Sequence, residues 1–444
     1  MVKPANDNEA YAAAEAVAVR SRGKLVAYLA SRFGDVAAAE DALSEAFAAA
    51  LTAWPEKGCP DNPEAWLLTA ARRKLIDHLR RNRESSSDDE PEQLADAMIA
   101  AADDGFPDRR LALLFACAHP AIDPAIRAPL MLQVVLGLEA TQIASAFLVS
   151  PAAMAQRLVR AKAKIREAGI PFRIPEPEEL RDRLESVLDS IYAGFAEGWA
   201  DATGTDPARR ELAGEAIFLG RLLTQLLPDE PEAWGLLALM LYAEARRPAR
   251  RTAGGEFVPL RSQDKTLWDW AMIEEAEAAL DSASRPSNHS SNHYTSHSTN
   301  QSANRALSRA KSRAMRIGRY QLEAAIQSAH VEGARTGSVS WAAVVTLYDA
   351  LAQLTSSPVA FINRALAVAE LEGPQAGLAA LETAGVDQRV ESYQPYWAAR
   401  ANLLGRTGST DAARHAYQIA IGLESDPAVR EYLLRRCDDL PKQG

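Results

Sequence analysis

The segment Ser150–Ile165 constrains the fold of this chain more than any other stretch. Ser150 is a hydroxyl N-cap and Pro151 follows it at the first helical position, a pairing that starts helices because the hydroxyl accepts an orphan amide and proline has none to leave unpaired. Met154, Leu158, Ala161 and Ile165 then recur at helical spacing and form one apolar stripe. Ala153, Arg157, Arg160 and Lys164 repeat that spacing about 100° round the helix. One face is built to pack, and the next carries small residues and cations. Ahead of it, Ala140–Phe147 reads as a short helix with Ile143, Ala144 and Phe147 inward, and Leu148-Val149-Ser150 makes a tight turn. This is the layout of a helix-turn-helix whose second helix enters a major groove. The spacing alone fits an ordinary amphipathic pair with a solvated basic face equally well.

The rest of the chain sets the context. Its 444 residues allow roughly two to four domains. Alanine and leucine are abundant, aromatics amount to 7%, and β-branched alternation is scarce, so the expected class is all-α. No apolar run approaches the ~20 residues of a membrane span, and the start of the chain lacks a basic-then-apolar signal segment. The expectation is a cytoplasmic protein without membrane contact. Cys59, Cys117 and Cys437 are widely separated with no CxxC pair, which predicts free thiols and neither a disulfide framework nor a zinc site. There is no Gly-rich phosphate loop, nucleophile elbow or metal-ligand cluster in the ordered-looking sequence. Neither an enzyme nor a cofactor or metal is expected. The formal charge of −10 sits badly with nucleic-acid binding, for which a basic footprint is usual. The conflict is resolved locally, because Arg and Lys cluster at 72–83 and 157–166 while acids concentrate between and after them.

Composition divides the chain into a helical domain over 10–83, an acidic Ser-rich linker over 84–107, a second helical domain over 108–172 and a long helical extension over 178–440. In the first domain helices are predicted over 24–33 and 37–54, with a loop at 55–60. A third helix is capped by Asp61 or Asn62 with Pro63 at its first position, its inward stripe formed by Leu68, Ala71, Leu75 and Leu79. Helices resume over 108–118 and 124–136. Prolines at 171, 175 and 177 mark the next boundary. In the extension Pro231, Pro358 and Pro395 each open a helical unit. Pro358 to Pro395 is 37 residues and Gly373 to Gly408 is 35, near the ~34-residue tetratricopeptide period. Residues 282–304 interrupt this pattern with Ser, Asn, His and Thr. His289, His293 and His297 would share one face of a helix there, but the surrounding residues are poor helix formers, and a disordered loop is expected.

Residues 23–170 resemble the σ2 and σ4 domains of extracytoplasmic-function sigma factors. Asp35 with Ala39–Phe47 resembles the σ2 helix that docks on the clamp helices of the polymerase β′ subunit, which implies polymerase contacts at Asp35, Glu40, Asp41, Glu45 and Phe47. Asn62–Leu67 with Ala70–Arg81 resembles the segment that melts and reads the −10 element, implying DNA contacts at Trp66, Arg72, Arg73, Lys74, Arg80 and Arg81. Thr141–Arg166 resembles the σ4 helix-turn-helix that reads the −35 element, implying contacts from Ala153, Gln156, Arg157, Arg160 and Lys164. The extension resembles a subgroup with a tetratricopeptide-like C-terminal domain. The implied fold is all-α: a sigma-70 region 2 helical domain, a region 4 helix-turn-helix domain and a C-terminal helical-repeat domain. The implied partners are core RNA polymerase (β′ clamp helices and β flap), promoter DNA, and a regulator, intramolecular or separate, acting through the repeats.

The chemistry is consistent with that resemblance. Opening a duplex needs cations on phosphates beside surfaces that hold unstacked bases. Trp66 beside Arg72, Arg73 and Lys74 offers both, although a packing role near a helix start fits Trp66 as well. The 55–60 loop is a better place than Trp66 for an extruded base, and Asp77 pairs most simply with a neighbouring arginine. A stand-alone helix-turn-helix regulator with a repeat-based sensor is the competing reading.

Overall fold

The computed structural model describes residues 7–82, 108–147, 149–199, 207–285, 317–384, 390–391 and 393–441. The expected linker at 84–107 and the insertion at 282–304, beyond its first residues and including all three of its histidines, lie outside the described residues. Among those described, the secondary structure is helical apart from one isolated bridge between Arg251 and Phe257, so the all-α class holds. The chain forms two compact units, residues 1–219 and 220–444.

The first unit opens with α1 (Asp7–Phe33), α2 (Val36–Lys57) and α3 (Pro63–Asn82). Leu25, Leu29, Leu43, Trp54, Leu67, Leu68 and Leu75 are fully buried where the three helices meet. Asp35 caps α2, its carboxylate accepting the Ala38 amide at 3.1 Å. Asn62 caps α3 by accepting the Ala65 amide at 3.1 Å, with Pro63 leading the helix as the sequence predicts. The expected 55–60 loop is shorter than predicted, because α2 continues through Pro55 to Lys57. Trp54, 1% exposed, anchors that last turn, and the Gly58 amide donates to its carbonyl at 2.9 Å. A proline in a final turn costs only one backbone bond, which the burial of Trp54 outweighs.

The chain then forms α4 (Arg110–Cys117), α5 (Pro124–Met131), a π-helical turn at Leu132–Leu136, α6 (Ala140–Ala146), α7 (Pro151–Glu167) and α8 (Pro177–Trp199). The single helix predicted over 124–136 is therefore an α-helix that widens in its last turn. Helix α8 buries Leu184, Val187, Leu188, Ile191 and Phe195 against α4 and α5, and Arg183 donates to the Phe115 carbonyl at 2.6 Å. The first unit thus extends past the prolines at 171–177 to Leu219, inside α9 (Pro207–Leu226). Pro177 starts a helix whose apolar face closes the core of the preceding ones, so here proline marks an element and not a domain boundary.

The second unit contains α10 (Pro231–Glu244), α11 (Trp270–Ser284), α12 (Arg319–Thr336), α13 (Trp341–Thr355), α14 (Pro358–Leu371), α15 (Pro374–Ala384), α16 (Gln394–Arg406), α17 (Thr410–Leu423) and α18 (Pro427–Asp438). Pro231, Pro358 and Pro395 stand in first turns as predicted. Gly373 and Gly408, at φ 100° and 83°, make the turns within α14/α15 and α16/α17, a conformation that other residues resist. Neighbouring pairs share side chains. Phe361 packs on the cluster of Leu322, Ile326 and Leu351 and on that of Ile362, Leu381 and Tyr396, and Trp397 links the latter to Ala401, Tyr417 and Leu433. A core passed from pair to pair is how stacked helical repeats gain stability. The start of α12 is fixed from α10, where the half-buried Glu232 carboxylate accepts the Tyr320 and Gln321 amides at 3.1 and 3.0 Å.

Candidate functional site

The helix-turn-helix is built from local rules. Ser150 Oγ accepts the Ala153 amide at 3.3 Å, and Met154, Leu158, Ala161 and Ile165 are the buried residues of α7. Ile143 and Ala144 are buried in α6 while Phe147 is half-buried, and the Val149 amide closes the turn onto the Ala144 carbonyl at 3.0 Å.

Helix α7 has two flanks beside its buried stripe. Gln156, Arg157, Arg160 and Lys164 are exposed and Ala153 is half-buried. Arg157, Arg160 and Lys164 line one side of a groove of about 470 Å³, with Ile122, Asp123 and Ile126 opposite. Arg160 Nε is held by the Gln156 carbonyl at 3.3 Å, and no carboxylate pairs with Arg157, Arg160 or Lys164 among the described residues. Three unpaired cations against the single carboxylate of Asp123 leave this concave surface net positive, which favours a polyanion. The other flank carries Val159, 62% exposed, then Lys162 and Arg166, which sequence reasoning left without a role. Their place one residue beyond the apolar stripe was the available signal.

In α3 the basic residues separate. Arg73 and Lys74 are exposed. Arg72 is 4% exposed; its guanidinium lies 5.3 Å over the Tyr28 ring and donates to the Tyr28 hydroxyl at 2.8 Å. The structure therefore does not place Arg72 on the surface with its neighbours, because it adjoins the Leu68–Ala71–Leu75 stripe and its length carries the charge inward. Arg80 and Arg81 lie outside the residues whose side chains are described. Lys74 pairs with Glu45 at 3.1 Å, both about half exposed; such a pair is worth at most about 1 kcal/mol, and a phosphate can replace it. Trp66 is half-buried and meets Trp54 edge-on, with ring centroids 5.5 Å apart. One edge packs against Trp54 and the ring stays partly accessible, about two turns before the exposed Arg73 and Lys74 on α3.

In α2, Asp41 and Glu45 are exposed and Phe47 is half-buried. Glu40 is 7% exposed and accepts from Arg22 at 3.3 Å and from Lys162 at 2.9 Å. Asp35 accepts from Arg166 at 3.1 Å while still capping α2. Two of the five acids and aromatics expected at the polymerase surface are thus engaged by the helix-turn-helix.

A family model for sigma-70 region 2 matches residues 18–85, which takes in most of α1 and all of α2 and α3. A second, described as a family of unknown function (DUF6596), matches 183–284, from α8 to α11. An uncharacterized protein of Rhizobium meliloti (strain 1021) is 38% identical over 432 residues, covering 95% of this chain and 94% of that protein. The chain belongs to the same family as that Rhizobium protein. Its region 2 supports a sigma-70 family factor, with core RNA polymerase and promoter DNA as the partners that such a region implies. No solved structure matches the chain. Among the described residues, no helix is long and apolar enough to cross a membrane. Cys117 is buried, which pushes its thiol pKa up, and Cys59 and Cys437 are partly exposed.

Proposed function

We propose that this chain is an extracytoplasmic-function-type sigma factor, which binds core RNA polymerase, reads −35 and −10 elements, and opens the duplex, with its helical extension regulating that activity. The observation that carries the proposal is the pairing, within one compact unit, of a region 2 segment and a helix-turn-helix whose flank holds three cations against one groove carboxylate, none of them ion-paired among the described residues.

The roles follow from exposure. Arg157, Arg160, Lys164 and Gln156 are the −35-reading side chains: arginines pair with guanine edges or phosphates, and glutamine pairs with adenine. Arg73 and Lys74, with the open edge of Trp66, form the −10 surface, cations for the backbone and an aromatic plane for a displaced base. Arg80 and Arg81 extend the cationic run of α3. Arg72 supports this surface from within. Asp41 and Glu45 are the exposed acids of the polymerase-docking helix, and Phe47, half-buried, stands on another face of α2. The second unit offers stacked helix pairs of tetratricopeptide type, a scaffold for protein contacts, and has the role of a regulator in cis.

The test is direct binding. The full-length protein is expected to bind core polymerase with a defined stoichiometry and to shift promoter DNA poorly by itself. A protein that shifts its promoter unaided and ignores core polymerase would instead be a stand-alone regulator.

A further inference from the structure

The segment between α10 and α11 is a strap that ties the first helix of the second unit to its last. It leaves the end of α10 and reaches α18 at once. There Arg251 pairs with Asp426, Glu256 meets Arg435 at 2.6 Å, and the Phe257 ring stands edge-on to Tyr432 with centroids 5.4 Å apart. The chain then returns past the earlier helix pairs in reverse order. Arg261 holds Glu370, in the last turn of α14, at 2.9 Å and lies 4.8 Å over the ring of Trp341, which opens α13. Lys265 donates to the Ala334 carbonyl, in the last turn of α12, at 2.8 Å. Trp268 is buried beside Arg246, and the Asp269 amide comes back to the Ala245 carbonyl at 2.9 Å, just past α10.

Stacked helix pairs bind partners on the extended surface that their repetition creates. In this unit α12, α14, α16 and α18 are the helices that recur along one such surface, and Arg406 of α16 reaches Glu370 of α14 at 2.6 Å. The chain's own strap already lies across them. It is seated by side chains, as a bound peptide is: between Arg251 and Trp268 its regular structure is confined to the bridge at Arg251 and Phe257 and to 3₁₀ turns at Leu260–Ser262 and Lys265–Leu267.

The ends of the strap are fixed and its middle is shallow. Arg251 and Asp426 are only 16% and 13% exposed, and Trp268 is buried. Glu256 and Arg435, by contrast, are each 47% exposed, and pairs so open to water hold weakly. Gly254 and Gly255, the latter at φ 86°, give the chain a bend just before Glu256 that other residues resist. Lifting the middle strands no buried charge, the event that makes breaking an ion pair expensive. Glu370 keeps Arg406, and Arg435 is already in solvent.

We propose that α12, α14 and α18 form a peptide-binding groove, which Glu256–Arg261 fills as an internal ligand. The outside partner that fits it is an extended protein segment of the same chemistry: an acid for Arg435, an adjacent aromatic ring for Tyr432, and an arginine four residues beyond that ring for Glu370 and the face of Trp341. Such a segment replaces the middle of the strap while Arg251 and Trp268 hold its ends. This rests on the proposed reading of the second unit as a scaffold for protein contacts.

The test titrates the full-length chain with a fluorescein-labelled peptide of residues 252–263, read by anisotropy. In the wild type the tethered strap competes at an effective concentration on the order of millimolar. Glu256→Ala, Phe257→Ala and Arg261→Ala together empty the groove. The peptide is expected to bind this variant at least about tenfold tighter than wild type, the change seen when a competent state rises from about a tenth of the population to nearly all of it. A peptide carrying the same three changes should bind neither chain. Phe257→Ala alone, used should the triple change impair folding, is expected to give a smaller gain in the same direction. Equal binding to wild type and a folded variant, or binding to neither, overturns the groove. A wild-type dimer that the triple change splits, seen by light scattering, makes the strap of a second copy the occupant and overturns it too. Core-polymerase binding is scored separately, so failure of the promoter-reading function leaves the outcome of this titration unchanged.

Discussion

Gly23 in α1 lies so close to Val135 in the π turn that a Cβ on Gly23 would stand 2.0 Å from the Val135 carbonyl oxygen. No real Cβ tolerates such a contact with backbone, so region 2 and the helix-turn-helix half of the unit are closely fitted at this point. Gly23→Ala must push α1 off the π turn. The expected cost is about 1–3 kcal/mol, as for other overpacked sites, read as a lower midpoint in thermal or urea unfolding. An unchanged midpoint would contradict the packing described.

Neighbouring arginines of α3 should behave differently. Arg72→Ala removes the hydrogen bond and ring contact to Tyr28 and is expected to destabilise the protein by roughly 1–3 kcal/mol. Arg73→Ala, at an exposed position, should leave the unfolding midpoint within about 0.5 kcal/mol of wild type and lower open-complex formation, seen with permanganate footprinting. Equal loss of stability in both variants would refute this division.

Arg157→Ala should weaken initiation from −35-dependent promoters roughly tenfold or more, since a lost guanine contact costs about 1–3 kcal/mol. Binding to core polymerase should be unchanged. Loss of polymerase binding in this variant would mean that the flanks of α7 are assigned the wrong way round.

The second unit carries a pH dependence at His330, which packs edge-on to Trp341 with centroids 5.8 Å apart. Burial, and then the guanidiniums of Arg246 and Arg261, lower its pKa from 6.5 to about 4. The unfolded chain therefore takes up a proton near pH 6.5 that the folded chain refuses until about pH 4. Stability is complete above pH 6.5 and falls as the pH drops towards 4, by up to about 3 kcal/mol at ~1.4 kcal/mol per unit. His330→Gln should flatten the stability–pH curve between those values in urea titrations, and an equally steep curve in the variant would exclude His330 as its source.

What the sequence reveals here is local in origin. The start of α7 at Ser150 and Pro151, its buried stripe, the Asn62 cap and the prolines at 231, 358 and 395 all depend on neighbours within a turn or two, so periodicity and capping chemistry locate them. The meeting of Lys162 with Glu40 depends on a fold that brings distant segments together, and no spacing rule reports it. Arg72 counts in composition as one more surface cation, and only the position of Tyr28 shows that it points inward. The prolines at 171–177 read as a boundary, yet α8 beyond them completes the core of the first unit. The apolar stripe and one cationic flank of α7 are legible in the sequence, but the second flank with Lys162 and Arg166 is not, because its partners Glu40 and Asp35 are distant in sequence.

The central claim is tested most directly by run-off transcription, in which core polymerase is supplied with this protein alone and start sites are then mapped across genomic templates. The account predicts initiation that depends on the added protein, at start sites sharing paired upstream elements about 35 and 10 base pairs away. Core polymerase that initiates no differently with and without the protein would contradict it.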